Sequence, residues 1–433
     1  MTRNFMKAGA AAMAGIMLLA GCGGSGSDAK SSAGKNVEIS FIHWGGDGTY
    51  TGAYKDRIEA FEKENPEIKV KVTTIADKYE TKLQTMIAGK QAPDVMQVAE
   101  NGMGFASKGA FIDLTDKVKD AGIDTEKKWG DITAQYTYDG ELFGLPDRGG
   151  CTVAYYNKDL FDAAGVPYPT DDWTLDDYYS AVEKLTKDTD GDGKIDQWGT
   201  TSSHYQAIWG YMLQANGGNI IKDDKVVINS PENLETLTRY NKAYQDGQVV
   251  SYEELEKTSS GGDAYFAQGK IGINMTGLWG VQGNAAESGL NFDIAPVPKG
   301  AQDAGWPMGS ALAISSQSSK EKQEAAWKFI QYMTDEDAQQ MLGKGLPDCP
   351  ADLQVLASDE FLNQQINGKT LNMKAVSTSM ERVTIDGILR GPYYQEAIDE
   401  CRNQIQEMLL GRLTPEKCLE TLDKNLTGVV EQY

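Results

Sequence analysis

Alternation of apolar and polar residues begins at Val37. Val37-Glu38-Ile39-Ser40-Phe41-Ile42 changes character at nearly every step and is rich in β-formers, which predicts a strand. The glycine-rich loop His43-Trp44-Gly45-Gly46-Asp47-Gly48 follows. Tyr54, Ile58 and Phe61 then recur at helical spacing until Asn65-Pro66 stops the helix. Ile68 to Val72 alternates again, Tyr79 to Ala88 reads as a helix, and Pro93 to Val98 reads as a third strand. Strand, helix, strand, helix, strand is the order of a parallel sheet with crossover helices.

Further along, Leu142 to Pro146 leads into Thr152 to Asn157, a β-segment that predicts passage from one structural unit to another. Helices are expected over Asp171 to Thr186 and Leu234 to Asp246, and a strand over Ile271 to Met275. Phe292 to Pro298 is a strand broken by prolines, a candidate second crossing. After a strand at Ala311 to Ser315, Lys320 to Thr334 places Ala325, Ala326, Phe329, Ile330 and Met333 on one helical side. The remainder is mostly helical, and no internal repeat is present.

The first residues have a different pattern. Arg3 and Lys7 precede an apolar run from Ala8 to Ala20, the layout of a secretory leader and too short to span a bilayer comfortably. Leu19-Ala20-Gly21-Cys22 resembles a bacterial lipobox. That resemblance implies a leader over residues 1–21 and a lipid on Cys22. Residues 22–36, rich in Gly and Ser, would then tether an extracytoplasmic, membrane-anchored protein. The roughly 400 residues that remain are too many for one hydrophobic core, so two domains are expected. A formal net charge of −22 disfavours a phosphate backbone as partner. Cys401 and Cys418 lie in helical segments joined by a short turn, where a bridge fits. That would leave Cys151 with Cys349, and four buried free thiols are the alternative.

Asp188-Thr189-Asp190-Gly191-Asp192-Gly193-Lys194-Ile195-Asp196 has carboxylates at positions one, three, five and nine, and glycine at six. This is a calcium-loop pattern in which Lys194 would offer its carbonyl. The twelfth position is Gly199, so the usual bidentate Glu is missing. A structural calcium ion is expected, with a metal-free acidic turn as the alternative. The two histidines, His43 and His204, neighbour no Ser or Cys motif, and no nucleophile elbow, zinc motif or P-loop appears. An enzyme is therefore not expected.

Five stretches resemble one family, the extracellular solute-binding proteins of sugar-importing ABC transporters, the group of maltose-binding protein. They are Gly89 to Val95, Leu145 to Phe161, Ala164 to Thr174, Phe266 to Lys270 with Gly277-Leu278-Trp279, and Ala325 to Ile330. Their order and spacing carry the likeness rather than any one of them. The resemblance implies an α/β fold of two lobes, with a ligand cleft between them and three chain crossings. The first lobe would comprise residues 37–147 and 295–334, the second 148–294 and 335–433. It also implies a monomer that closes by a hinge on a carbohydrate, in particular an oligosaccharide, and delivers it to a membrane permease.

A sugar presents hydroxyls that need directional donors and acceptors, and C–H faces that suit flat rings. Trp44 and Asp47 follow the first strand, and Glu100 and Asn101 follow the third, at the edge where open α/β sheets meet ligands. Arg148 sits at the first crossing, with a salt bridge to Asp147 or another acid as its competing role. The family likeness adds Tyr205 and Trp209, one of them facing ligand, then Trp279 as the stacking residue, and one of Tyr393 and Tyr394; Trp306, before Met308-Gly309-Ser310, is a further candidate from the first lobe. The same fold holding a peptide, polyamine or anion is the alternative, followed by a surface glycosidase using two carboxylates.

Overall fold

The computed structural model describes residues 36–201, 206–255, 257–258 and 261–433. The leader, Cys22, the tether up to Lys35 and Tyr205 lie outside them. Val37–Trp44 pairs in parallel with Ile68–Ile75 along its full length, Val37 opposite Ile68 and Trp44 opposite Ile75. It also pairs in parallel with Val95–Val98. Ser310–Ile314 runs antiparallel between Val95–Val98 and Leu145–Arg148, completing a five-stranded sheet. Asp94 pins this sheet to its neighbours. Its carboxylate accepts from the Ser40 amide and hydroxyl, both at 2.8 Å, from the Ser318 hydroxyl at 2.6 Å and from the Lys322 amine at 2.9 Å.

The second sheet has the order Val249–Val250, Trp198–Thr201, Ile271–Thr276, Val153–Asn157, Phe292–Pro296. Val153–Asn157 is antiparallel to both neighbours. The helices form where the pattern places them. Tyr54, Ile58 and Phe61 are buried under the first sheet. Lys320–Met333 starts at the Ser319 cap and buries Ala325, Ala326, Phe329, Ile330 and Met333, together with Trp327. Leu175–Leu185 starts with a capping box between Thr174 and Asp177.

Among the described residues the chain passes between the sheets three times. It leaves the first sheet at Arg148 and enters the second at Val153. The return comes later than the prolines suggest. Ala295 and Pro296 still pair with Ala154 and Val153, so the first sheet is regained between Pro296 and Ser310. The last departure is later too. Glu336–Gly343 packs on Asp56–Glu64 of the first lobe, and Lys374–Glu381 is the helix lying on the second sheet.

The three passages run side by side. The Gly149 amide donates to the Cys349 carbonyl at 2.9 Å, and the Met308 amide donates to the Gly150 carbonyl at 2.9 Å. A Cβ at Gly149 would lie 2.3 Å from the Pro350 carbonyl oxygen, and Gly150 has φ +146, so side chains are excluded where the strands touch. Beneath them, Arg57 and Asp147 form a buried ion pair at 2.8 Å. Arg57 also donates to the Ala53 and Met333 carbonyls. Gln339 ties the same point to the last passage, donating to the Asp147 carbonyl and accepting from the Ala351 amide.

The four cysteines of the described chain are free and buried, so neither expected bridge forms. Burial pushes the Cys151 and Cys418 thiols up to about 12. Their small apolar side chains serve as core packing. None of the helices among the described residues is long and apolar enough to cross a membrane.

Removing one partner of a buried pair strands the other charge, at a cost of about 3–5 kcal/mol. Arg57→Met should destabilise the protein by that order in urea denaturation. Adding Asp147→Asn should recover part of the loss; a purely additive double variant would contradict the pairing.

Candidate functional site

The parallel strands bring Trp44, Ala99-Glu100 and Arg148 to one edge of the first sheet, since all three follow or end strands pointing the same way. Ser310 begins the antiparallel strand and reaches that edge from the opposite direction. Facing them, Trp279 follows Ile271–Thr276 of the second sheet. Together these groups wall a chamber of about 580 Å³, to which Thr49, Gln282, Met308 and Asp348 also contribute. A second chamber, of about 670 Å³, opens beyond Glu100 and Asn101. Glu80, Gln84, Lys108, Gln206, Tyr394, Glu396 and Arg402 are among its lining residues. Ala99 and Glu100 line both.

The floor of the first chamber is a bonded set. The Trp44 amide donates to Gln97 Oε1 at 3.1 Å, and Gln97 Nε2 donates to the Ser310 hydroxyl at 2.8 Å. The Arg148 guanidinium lies 5.0 Å from the centre of the Trp44 ring and 5.8 Å from that of Tyr54. Its ion pair is with Asp348, at 2.7 Å, while Asp147 belongs to Arg57. Arg148 is thus both salt-bridged and at the cleft. Asp47 opens the short helix that carries Gly48 and Thr49 to this chamber.

Trp279 is 55% exposed, and its indole nitrogen donates to Asp263 Oδ2 at 3.2 Å. Asn274 holds the other oxygen of Asp263 at 2.7 Å. The indole lies over Gly277, where a Cβ would come within 2.0 Å of the ring. The glycine before the tryptophan therefore has a direct steric reason.

Glu100 keeps part of its surface open to the chambers while protein surrounds it. Burial pushes its carboxyl up to about 7; Glu80 adds to the shift and Arg402 opposes it. Asn101 precedes the helix Gly102–Ala106 without capping it through its side chain, and lines the second chamber. Tyr394 lines that chamber, and its hydroxyl accepts from Gln206 Nε2 at 3.1 Å. Arg402 donates to Gln206 Oε1 at 3.0 Å and to Asp399 at 2.8 Å.

Of the aromatics, Trp306 is not at the cleft as expected, and Trp209 and Tyr393 are the structural members of their two pairs. Trp209 is 0% exposed within Gln206–Ala215, a helix buried on every side. Trp306 is also 0% exposed and lies on Gly210, where a Cβ would meet its ring at 2.4 Å. Tyr393 is buried in the second-lobe core, with its ring over Gly391. All three are core residues rather than cleft residues. Gln206, Arg402, Asp348 and Asp263 escaped the sequence reading. Gln206 and Arg402 are 196 positions apart, and no local pattern announces such a pairing.

In the acidic loop, carboxylate oxygens of Asp188, Asp190 and Asp192 come within 4.8 Å of one another. Asp196 does not join them. Its oxygens accept from the Thr189 amide and hydroxyl, at 2.9 and 2.6 Å. The Lys194 amine lies 3.9 Å from Asp192.

Residues 46–340 match the family described as bacterial extracellular solute-binding protein. The chain belongs to that family. Among curated relatives of this solute-binding protein, the arabinooligosaccharide-binding protein of Bacillus subtilis (strain 168) is 29% identical over 54% of this chain. That match spans about half of the relative, 53% of its length. A putative binding protein of Brucella abortus (strain 2308) is 25% identical over 86% of this chain and 88% of its own. An ABC substrate-binding protein of Listeria monocytogenes, solved in complex with cycloalternan, superposes with a TM-score of 0.79 at 29% identity, covering 91% of this chain and 99% of that one. Maltose-bound MalE3 of T. maritima shares the fold with a TM-score of 0.73 at 20% identity, covering 90% and 99%. The family comprises binding proteins of transporters rather than enzymes.

A carboxyl group that is harder to ionise folded than unfolded costs stability as pH rises, here between the ordinary Glu value and about 7. Glu100→Gln should therefore melt at a higher temperature than the parent at pH 8, with the gap shrinking towards pH 5. Parallel melting curves at the two pH values check this; an equal gap at both would refute the shifted carboxyl.

Proposed function

We propose that this protein is the carbohydrate-capturing component of an ABC importer, anchored outside the membrane through Cys22 and delivering an oligosaccharide to the permease. The observation that carries the reading is Trp279, a large ring 55% exposed at the cleft wall and facing an edge of acid, amide and guanidinium groups. Exposed apolar area on one wall and paired polar groups on the other match the two surfaces of a sugar ring. Family membership and the oligosaccharide and cycloalternan ligands named for two relatives support it. Capture requires no covalent change, so sugar should be recovered intact after incubation.

Thermal-shift screening with arabino-, galacto- and malto-oligosaccharides should find a stabilising sugar. Trp279→Ala should weaken that sugar at least tenfold, about 1.4 kcal/mol or more, while the free protein remains folded by its circular dichroism. Unchanged affinity in calorimetry would remove Trp279 as the stacking platform.

We also propose that Asp188, Asp190 and Asp192 hold a structural calcium ion. Their oxygens lie within 4.8 Å of one another at calcium-loop spacing, where a divalent cation would offset the repulsion that the loop amides only partly relieve. Calcium should raise the melting temperature by several degrees relative to EDTA, and Asp190→Ala should abolish the rise. No response in the parent would end the idea.

A further inference from the structure

Two chambers meet at Ala99 and Glu100 among the described residues, and their meeting bears on what the site holds. Each chamber, at about 580 and 670 Å³, has the size of a complete small-molecule site of roughly 300–1,000 Å³. They are not independent, because Ala99 and Glu100 form a wall of both. Their chemistry differs. The first offers the Trp279 ring and the Arg148–Asp348 pair. The second is polar, with acids and bases of both signs and side-chain amides, as a chain of neutral hydroxyl-bearing units requires. Its wall is braced from behind, since Arg402 is held by Asp399 and holds Gln206, which holds Tyr394.

From this arrangement, and resting on the carbohydrate reading above, we propose that one extended oligosaccharide occupies both chambers, with Glu100 contacting it where it passes from one to the other. Glu100 is then a specificity-determining residue that favours long ligands over short ones. The groups facing it are Glu80 on Tyr79–Ala88, Arg402 on Tyr394–Leu409, and the Tyr136 phenol, whose own proton is held more tightly first by burial and then by the Glu100 charge. An ionised Glu100 accepts charge-assisted bonds from sugar hydroxyls. Its carboxyl titrates near 7, so affinity for a long ligand should fall as pH is lowered through that value.

The test measures dissociation constants by calorimetry for arabino-, galacto- and malto-oligosaccharides of one to five units. In a series that binds, the tetrasaccharide should bind at least tenfold tighter than the disaccharide at pH 8. Gln395→Trp, on an exposed position lining the second chamber, should reduce that ratio below threefold. Gln84→Trp obstructs the same space from the other lobe and serves as the second variant should the first melt abnormally. Glu100→Gln should weaken the tetrasaccharide about tenfold and flatten its affinity between pH 8 and pH 6. Equal affinity at every length, or a ratio unmoved by both tryptophan variants, overturns the inference and leaves the carbohydrate reading standing. Failure of every series to bind overturns both.

Discussion

Asp147 and Arg148 are neighbours at the end of one strand, and strand alternation sends them opposite ways. Asp147 turns into the first lobe to meet Arg57, and Arg148 turns towards the cleft to meet Asp348 and Trp44. One pair fixes the first passage to the lobe beneath it. The other fixes it to the last passage and supplies the floor of the first chamber. Much of the site depends on this single dipeptide, because the groups that place the connecting strands also place the binding surface. Gln339 strengthens the arrangement by bonding the Asp147 carbonyl and the Ala351 amide, one from each passage. A buried ion pair is weak evidence of net stability against an apolar replacement. Its value here is positional, since it determines which residue of the strand faces the first chamber.

The electrostatics of the cleft are unlike those of the whole chain. A net charge of −22 describes the surface, and taken alone it would favour a cationic guest. In the first chamber the Arg148 charge is matched by Asp348. In the second, Lys108 and Arg402 stand among Glu80, Glu100 and Glu396. Charges of both signs give many donors and acceptors with little net field, which suits a neutral polyol better than a polyamine or an anion.

Much of the fold was legible because its signals are local. The alternation in Val37 to Ile42 and Ile68 to Val72, and the helical spacing of Tyr54, Ile58 and Phe61, each became an element with the expected residues buried. The lobe boundaries were less legible because Pro296 reads as a break yet ends a paired strand. Among the aromatics, the close approach of Trp279 to the backbone was readable through the glycine beneath its ring. The burial of Trp306 was not, since a large buried ring and an exposed one look alike without the packing around them. Tyr393 and Tyr394 are both packed in the second-lobe core, and Tyr394 alone of the two also lines the second chamber. Gln206 and Arg402 left no sequence signal because their bond is purely tertiary.

The placement of these groups also constrains how such a cleft works. Trp44, Gln97, Ser310, Arg148 and Asp348 are linked to one another, and all lie in the first sheet or in the passages bonded to it. Trp279 stands apart from that set, held by Asp263 and over Gly277 on the second sheet. Rotation of the second lobe about the passages therefore moves the ring relative to the floor without breaking any floor bond. The polar half of the first chamber is pre-organised, and the apolar half is the part that a hinge between the lobes would bring in. Gly149 and Cys349 share a backbone hydrogen bond, so the first and last passages must twist together. The glycine at 149 lets the two passages approach this closely beside Pro350, which would couple them in any hinge motion.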